Sequence, residues 1–295
     1  MEMDSYEIVK RVGEGSYGMV YQAIKKATGE AVAIKETRLH ENENGVRQLY
    51  ILQTVCRGRY VIRLLDVKRG RNKKGETVLF LVFEFLPTHL KTFMGRFQRN
   101  IPPEKIKSLM YLLCKGVAFC HGHGVLHRNL KPANLWVDQN AEKLKIADFG
   151  LARASRNNNM RDELTLWYRA PEVLLGSKLN SRAMDLWSVG CIFAELVNKE
   201  VLFRGQNKLS QLHQIFRILG TPNESVWPGV SSLPDWQKKF HQWEVQPLKS
   251  VVPNLDEDGL DLLNEMLKYQ PSKRISAKDA MKHRYFKDLD KSKLT

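Results

Sequence analysis

The run Val125-Leu126-His127-Arg128-Asn129-Leu130-Lys131-Pro132-Ala133-Asn134 constrains this chain more than any other stretch. It crowds an imidazole, two cations and two carboxamides between segments of very different character. Before it, Ile106, Leu109, Met110, Leu113, Val117 and Cys120 keep helical spacing after a Pro102-Pro103 start. After it come two short β-type pieces, Leu135-Trp136-Val137 and Leu144-Lys145-Ile146, and then Ala147-Asp148-Phe149-Gly150. A polar loop pinned between a long helix and short strands is where a fold presents chemistry. Asn129 limits that chemistry. Its amide oxygen accepts a hydrogen bond but has essentially no basicity near neutral pH, so it is no general base.

The length of 295 residues exceeds a typical single domain, and two lobes are expected. The longest apolar runs, such as Val78–Phe83, are far too short to span a bilayer, and residues 1–10 carry no secretory pattern. Cys56, Cys114, Cys120 and Cys191 show no C-x-x-C spacing and read as reduced, buried thiols of a cytoplasmic or nuclear protein. The formal charge of +15 is spread along the chain rather than gathered in a patch. Its densest run, Lys68–Gly75, reads as a hairpin tip, and no dedicated nucleic-acid site is expected.

The first motif is Gly13-Glu14-Gly15-Ser16-Tyr17-Gly18. Alone, G-x-G-x-x-G is weak, because a dinucleotide turn, a phosphate-covering loop and a flexible hairpin all use it. A dinucleotide site needs a helix after the glycines. Here Met19–Ala23 and Glu30–Thr37 read instead as strands around a Thr28-Gly29 turn. That order favours a glycine loop lying over phosphates. Val32-Ala33-Ile34-Lys35 then supplies a strand lysine for the α- and β-phosphates. Val61–Val67 and Val78–Phe85 are expected strands, with Leu86-Pro87 as a hinge. Met184–Leu196 is apolar nearly all round and reads as a buried helix with one odd carboxylate, Asp185. Leu209–Leu219, Gly259–Leu267 and Ala277–His283 are expected amphipathic helices.

Gly13–Gly18, Val32–Lys35, His127–Asn134, Asp148–Gly150 and Ala170-Pro171-Glu172 together resemble a eukaryotic protein kinase over nearly the whole chain. Leu166–Gly176, Gly190–Glu195, Leu219-Gly220-Thr221-Pro222 and Arg274–Lys278 narrow the resemblance to the cyclin-dependent kinases. The basic hairpin and the tail Tyr285–Ser292 are similar to the plant B-type branch. The resemblance implies an α+β, bilobal fold, with residues 1–86 as a small β-rich lobe and 87–295 as a larger helical lobe. It implies ATP and Mg2+ as cofactors. Val12, Gly13, Gly15, Gly18, Val20, Ala33, Lys35, Phe83, Glu84, Leu86 and Trp136 would line the nucleotide site, with Phe83 at its back. Asn134 and Asp148 would hold the metal, and Lys131 would contact the transferred phosphate. Asp185 would tie down the catalytic-loop backbone. Ser16 and Tyr17 stand where inhibitory phosphorylation falls. Arg47, Arg128 and Arg153 match the three arginines that grip an activating phosphothreonine.

The departures from the family pattern are several. Asn129 replaces the catalytic Asp, and Gln48 the helix glutamate that pairs with the strand lysine. The cyclin-reading segment is shorter by about four residues. The activation segment lacks its threonine, and Asp162 and Glu163 stand near that place as carboxylates that could dock on the arginines. Trp136 takes a place usually filled by Leu on the floor of the adenine pocket. Losing a general base costs about 10²–10⁴ in rate, and losing the lysine–glutamate pair disturbs phosphate positioning. The expectation is therefore a catalytically impaired pseudokinase acting through a protein substrate or scaffold partner, as a monomer or heterodimer, with cyclin binding put in doubt. The alternative is an active proline-directed Ser/Thr kinase of cell-cycle control.

Overall fold

Five strands near the N-terminus pair antiparallel. In the computed structural model, which describes residues 4–15, 18–38, 53–56, 58–72, 74–149, 166–179 and 181–294, these are β1 (Tyr6–Gly15), β2 (Gly18–Lys25), β3 (Ala31–Arg38), β4 (Leu64–Arg71) and β5 (Thr77–Glu84). Their spatial order is β1-β2-β3-β5-β4. On β3, Val32 and Ile34 are buried and pack with Tyr6, Ala23 and Val82. The pleat turns Ala33 and Lys35 to the opposite face. Register shifts between Ile8 and Lys10 and between Arg11 and Gly13 bend β1 just before the glycine motif.

A second sheet is small. β6 (Thr88–His89), β7 (Leu135–Val137) and β8 (Leu144–Ile146) lie in that order. Between β6 and β7 run α1 (Leu90–Gly95) and the 20-residue α2 (Pro103–Gly122). α2 begins at Pro103, where a missing N–H costs nothing. Its apolar stripe packs on β8 and on α4 (Ala183–Asn198), which follows the short α3 (Pro171–Leu174). α4 is buried from Met184 through Val197, which makes it the axis of the helical lobe. Lys199 ends it in the left-handed conformation at φ 59°.

Around it lie α5 (Lys208–Leu219), capped by Asn207 and Ser210, then α6 (Leu248–Val251), α7 (Glu257–Met266) and α8 (Ala277–Ala280). Arg274 locks the lobe from within. It makes two hydrogen bonds to Glu172, at 2.8 and 3.1 Å, and its guanidinium lies 5.1 Å from the centre of the Trp187 ring. Removing either partner of such a buried pair costs about 3–5 kcal/mol. The architecture is the expected α+β, bilobal one.

Several boundaries differ from the sequence reading. Val61 makes only an isolated bridge to Ile146, and β4 starts three residues later. Lys68–Arg71 of the basic run belong to β4, and the turn lies around Asn72 and Gly75. Ala277–His283 is helical only to Ala280, followed by a 3-10 turn over Arg284–Phe286.

Candidate active site

Asp185 organises the polar loop. Its carboxylate accepts the N–H of His127 at 2.9 Å and that of Arg128 at 2.7 Å, and it meets His121 Nε2 at 2.9 Å. Burial would raise its pKa. The hydrogen bonds from His121 and from the Arg128 N–H outweigh burial and hold it below the usual carboxylate value. Arg128 has φ 65°, a left-handed conformation that L side chains avoid at about 1–2 kcal/mol. Asp185 holds it there.

His127 carries the organisation onward. The Asn129 N–H donates to His127 Nδ1 at 3.3 Å, so Nδ1 is an acceptor and Nε2 carries the proton, donated to Ala147 O at 2.9 Å. Burial lowers the pKa of this ring. Its edge meets Phe149 at 4.9 Å and 73°. One imidazole thus ties Asn129 to the Asp148 segment. The sequence reading did not assign it a role, although it heads the motif.

Asn129 and Asn134 stand together. Asn134 Nδ2 donates to the Asn129 carbonyl at 2.8 Å, and Asn134 O accepts from Ala147 N at 2.9 Å. Asn129 is 5 % exposed, and among the described residues its Oδ1 has no hydrogen-bond partner. A buried orphan acceptor costs about 1–3 kcal/mol, and such sites are often functional. Opposite, Lys35 Nζ lies 2.7 Å from Asp148 Oδ1. Burial pushes the Asp148 pKa up, but Lys35, with Lys131 behind it, brings it below the usual carboxylate range. Asp148 also sits at φ 67°, so its backbone is fixed in an unusual turn.

The remaining sequence-assigned residues occupy the two sheets. Val20 pairs with Gly13 and with Lys35, Gly15 pairs with Gly18, and Ala33 pairs with Phe83. Val12 is 44 % exposed beside the glycine hairpin. Phe83 and Leu86 are half-buried. Glu84 does more than present backbone: its side chain accepts the Arg63 N–H at 2.7 Å and pairs with Lys145. Trp136 alternates with the buried Leu135 and Val137, so its indole faces away from the core. It meets His89 edge-on, at 5.8 Å and 87°. Ser16, Tyr17, Arg47, Gln48, Arg153, Asp162 and Glu163 lie outside the described residues.

The donor set fits ATP with Mg2+. Among the described residues no group of three or more His, Cys, Asp or Glu gathers as a metal cage. Mg2+ needs none, because it takes one or two protein oxygens and fills the rest with phosphates and water. Asp148 and Asn134 are the residues that would supply such oxygens, and Lys35 would supply a cation for phosphates. Among the described residues no helix is long and apolar enough to cross a membrane.

Comparison with known proteins agrees with this geometry. The protein kinase domain family matches residues 6–286. The cell division control protein 2 homolog D of Antirrhinum majus is 57% identical over 303 residues, covering 99% of this chain and 97% of its own. This chain belongs to the cyclin-dependent kinase family. Its B-type character follows from Arabidopsis thaliana cyclin-dependent kinases B2-2 and B2-1, 57% and 56% identical, each aligned over 304 residues and 99% of this chain, covering 96% and 97% of their own lengths. Protein kinases use ATP and Mg2+.

Proposed function

We propose that this chain is a protein-serine/threonine kinase of the cyclin-dependent type. It transfers the γ-phosphoryl group of ATP to protein hydroxyls in cell-cycle control, slowly, because Asn129 stands at the proton-acceptor position. The observation that carries the reading is the 2.7 Å contact of Lys35 with Asp148, held beside Asn134 and Lys131. The names of the relatives, cyclin-dependent kinases and cell division control protein homologues, favour transfer over its absence.

In this reading Lys35 holds the α- and β-phosphates, Asp148 and Asn134 hold the metal, and Lys131 neutralises the phosphate in transfer. Bound Mg2+ and ATP supply the phosphoryl group and the positive charge that balances it. Asn129 Oδ1 accepts a hydrogen bond from the substrate hydroxyl and orients it; with no base there, the proton is released to solvent as the hydroxyl oxygen bonds to phosphorus and ADP departs. Phosphoryl transfer relies mostly on positioning and electrostatics, so losing the base slows it by about 10²–10⁴ and does not abolish it. A cyclin is the partner class to test, and cytoplasm or nucleus the compartment.

Asn129 and Gln48 favour a second reading, a pseudokinase that binds partners without transfer. Incorporation of labelled phosphate into a Ser-Pro peptide separates the two. Slow incorporation that disappears in Lys35→Met supports the kinase. Incorporation equal to that of Lys35→Met, in a protein that still binds ATP, supports the pseudokinase.

A further inference from the structure

A groove of about 760 Å³ lies at the far end of the helical lobe, between the start of α2, the end of α4, the loop before α7 and the C-terminal tail. That volume is in the range of ligand sites, about 300–1,000 Å³. Ile101, Ile106, Leu255 and Tyr285, all nearly fully buried, contribute to its lining. Glu104, Asp256, Asp288 and Asp290 also line it, against a single lysine, Lys107. In a chain with 47 Lys and Arg against 32 Asp and Glu, this is an inversion of the surface sign.

Three of the four acids have a local reason to be there. Glu104 sits in the first turn of α2, Asp256 caps α7 through the Gly259 N–H at 2.7 Å, and Asp290 accepts the Ser292 N–H at 3.1 Å. Those reasons do not account for their meeting around one apolar hollow. Among the described residues, no hydrogen bond or ion pair reaches the Glu104 carboxylate. Arg284 and Lys287 pair with Asp258, and of the groove acids Asp288 is the one that a lysine of the lining, Lys107, holds. The groove also shows how it handles an ammonium. Lys107 lays its Nζ 4.9 Å from the Tyr285 ring centre and 2.7 and 2.9 Å from the two Asp288 oxygens. An aromatic face and a carboxylate together recognise an alkyl cation.

We propose that this groove docks a basic peptide segment of a protein partner, with aliphatic side chains on the apolar floor and Lys or Arg heads at Glu104 and Asp256. This does not rest on phosphotransfer, because the groove shares none of the residues of the Lys35–Asp148 cleft. The test is fluorescence anisotropy with a labelled 12-residue peptide of alternating Arg, Lys and Leu. Parallel titrations use Glu104→Lys, Glu142→Lys and an acidic peptide of the same length. Glu142→Lys makes the same charge change on an exposed turn elsewhere. Reversing a rim charge removes one attraction and adds one repulsion, so Glu104→Lys is expected to weaken binding about tenfold. Glu142→Lys should leave it within about twofold, since it is screened at that distance. Matching thermal unfolding midpoints for the two variants establish that both fold.

Equal loss in both variants, no loss in Glu104→Lys, or equal binding of the acidic peptide overturns the proposal. Displacement of the peptide by spermidine at equal concentration would mark a bare cation site and overturn it too. So would sedimentation velocity showing a dimer that Glu104→Lys dissolves, because the occupant would then be a second copy of this chain.

Discussion

The two ends of the same cleft have been treated differently. At the end we assign to the phosphates, Lys35 and Asp148 form a charged contact whose electrostatics are reinforced by Lys131. At the end we assign to the substrate hydroxyl, Asn129 presents a neutral, buried oxygen with no partner among the described residues. Both ends hang from one scaffold, since Asp185 fixes the loop and His127 links it to Ala147. The lesson is that the loop's conformation does not depend on a carboxylate at position 129. Its backbone is held from behind, so a change of side-chain chemistry leaves the frame standing.

Breaking the shared scaffold should have the largest effect. Asp185→Ala leaves two buried N–H groups and His121 without their acceptor, at a cost of about 3–5 kcal/mol. Denaturant unfolding checks this. The same group gives a pH signature. Its folded pKa is depressed, so its contribution is complete above the ordinary value of 3.8 and is lost as pH falls below it. Asp185→Asn should flatten that acid limb of the stability curve.

The next effect is confined to the phosphate end. Lys35→Met is expected to lower peptide phosphorylation by about 10²–10³ while leaving the unfolding midpoint nearly unchanged, because it removes one positioned charge. A large stability loss would mean that the Lys35–Asp148 pair serves the fold rather than the site.

At the hydroxyl end, Asn129→Asp should raise turnover by about 10–100-fold, short of the full range of a general base. Gln48 and the missing activation-segment threonine still limit it. The new carboxylate should also add an acid limb to the rate profile that the parent lacks, and an unchanged rate would remove Asn129 from the explanation. The smallest effect concerns Trp136. Over-filling a packed site costs about 1–3 kcal/mol. Trp136→Leu is thus expected to tighten ATP about tenfold in a titration. If the parent binds at least as well, the indole contributes contact rather than obstruction.

Much of this was legible in the sequence because it rests on local spacing. The strands around Gly13–Gly18, the long helix after Pro103 and the buried helix around Asp185 all follow from apolar period and turn residues. Asp185 itself stood out as a carboxylate in an apolar run. What escaped was decided at long range or by very short elements. Thr88-His89 and Leu90–Gly95 are too brief for periodicity to register. The pairing of Glu84 with Lys145 joins residues far apart in sequence. The meeting of Trp136 with His89 depended on which face of a three-residue strand turns inward.

The central claim, an intact nucleotide end beside an altered hydroxyl end, is tested most directly by calorimetric titration of the unmodified protein with ATP, with and without Mg2+. The expected result is ATP binding that tightens when Mg2+ is added, with that gain lost in Asp148→Asn. No binding, or binding indifferent to Mg2+, would contradict it and leave the chain a kinase in shape alone.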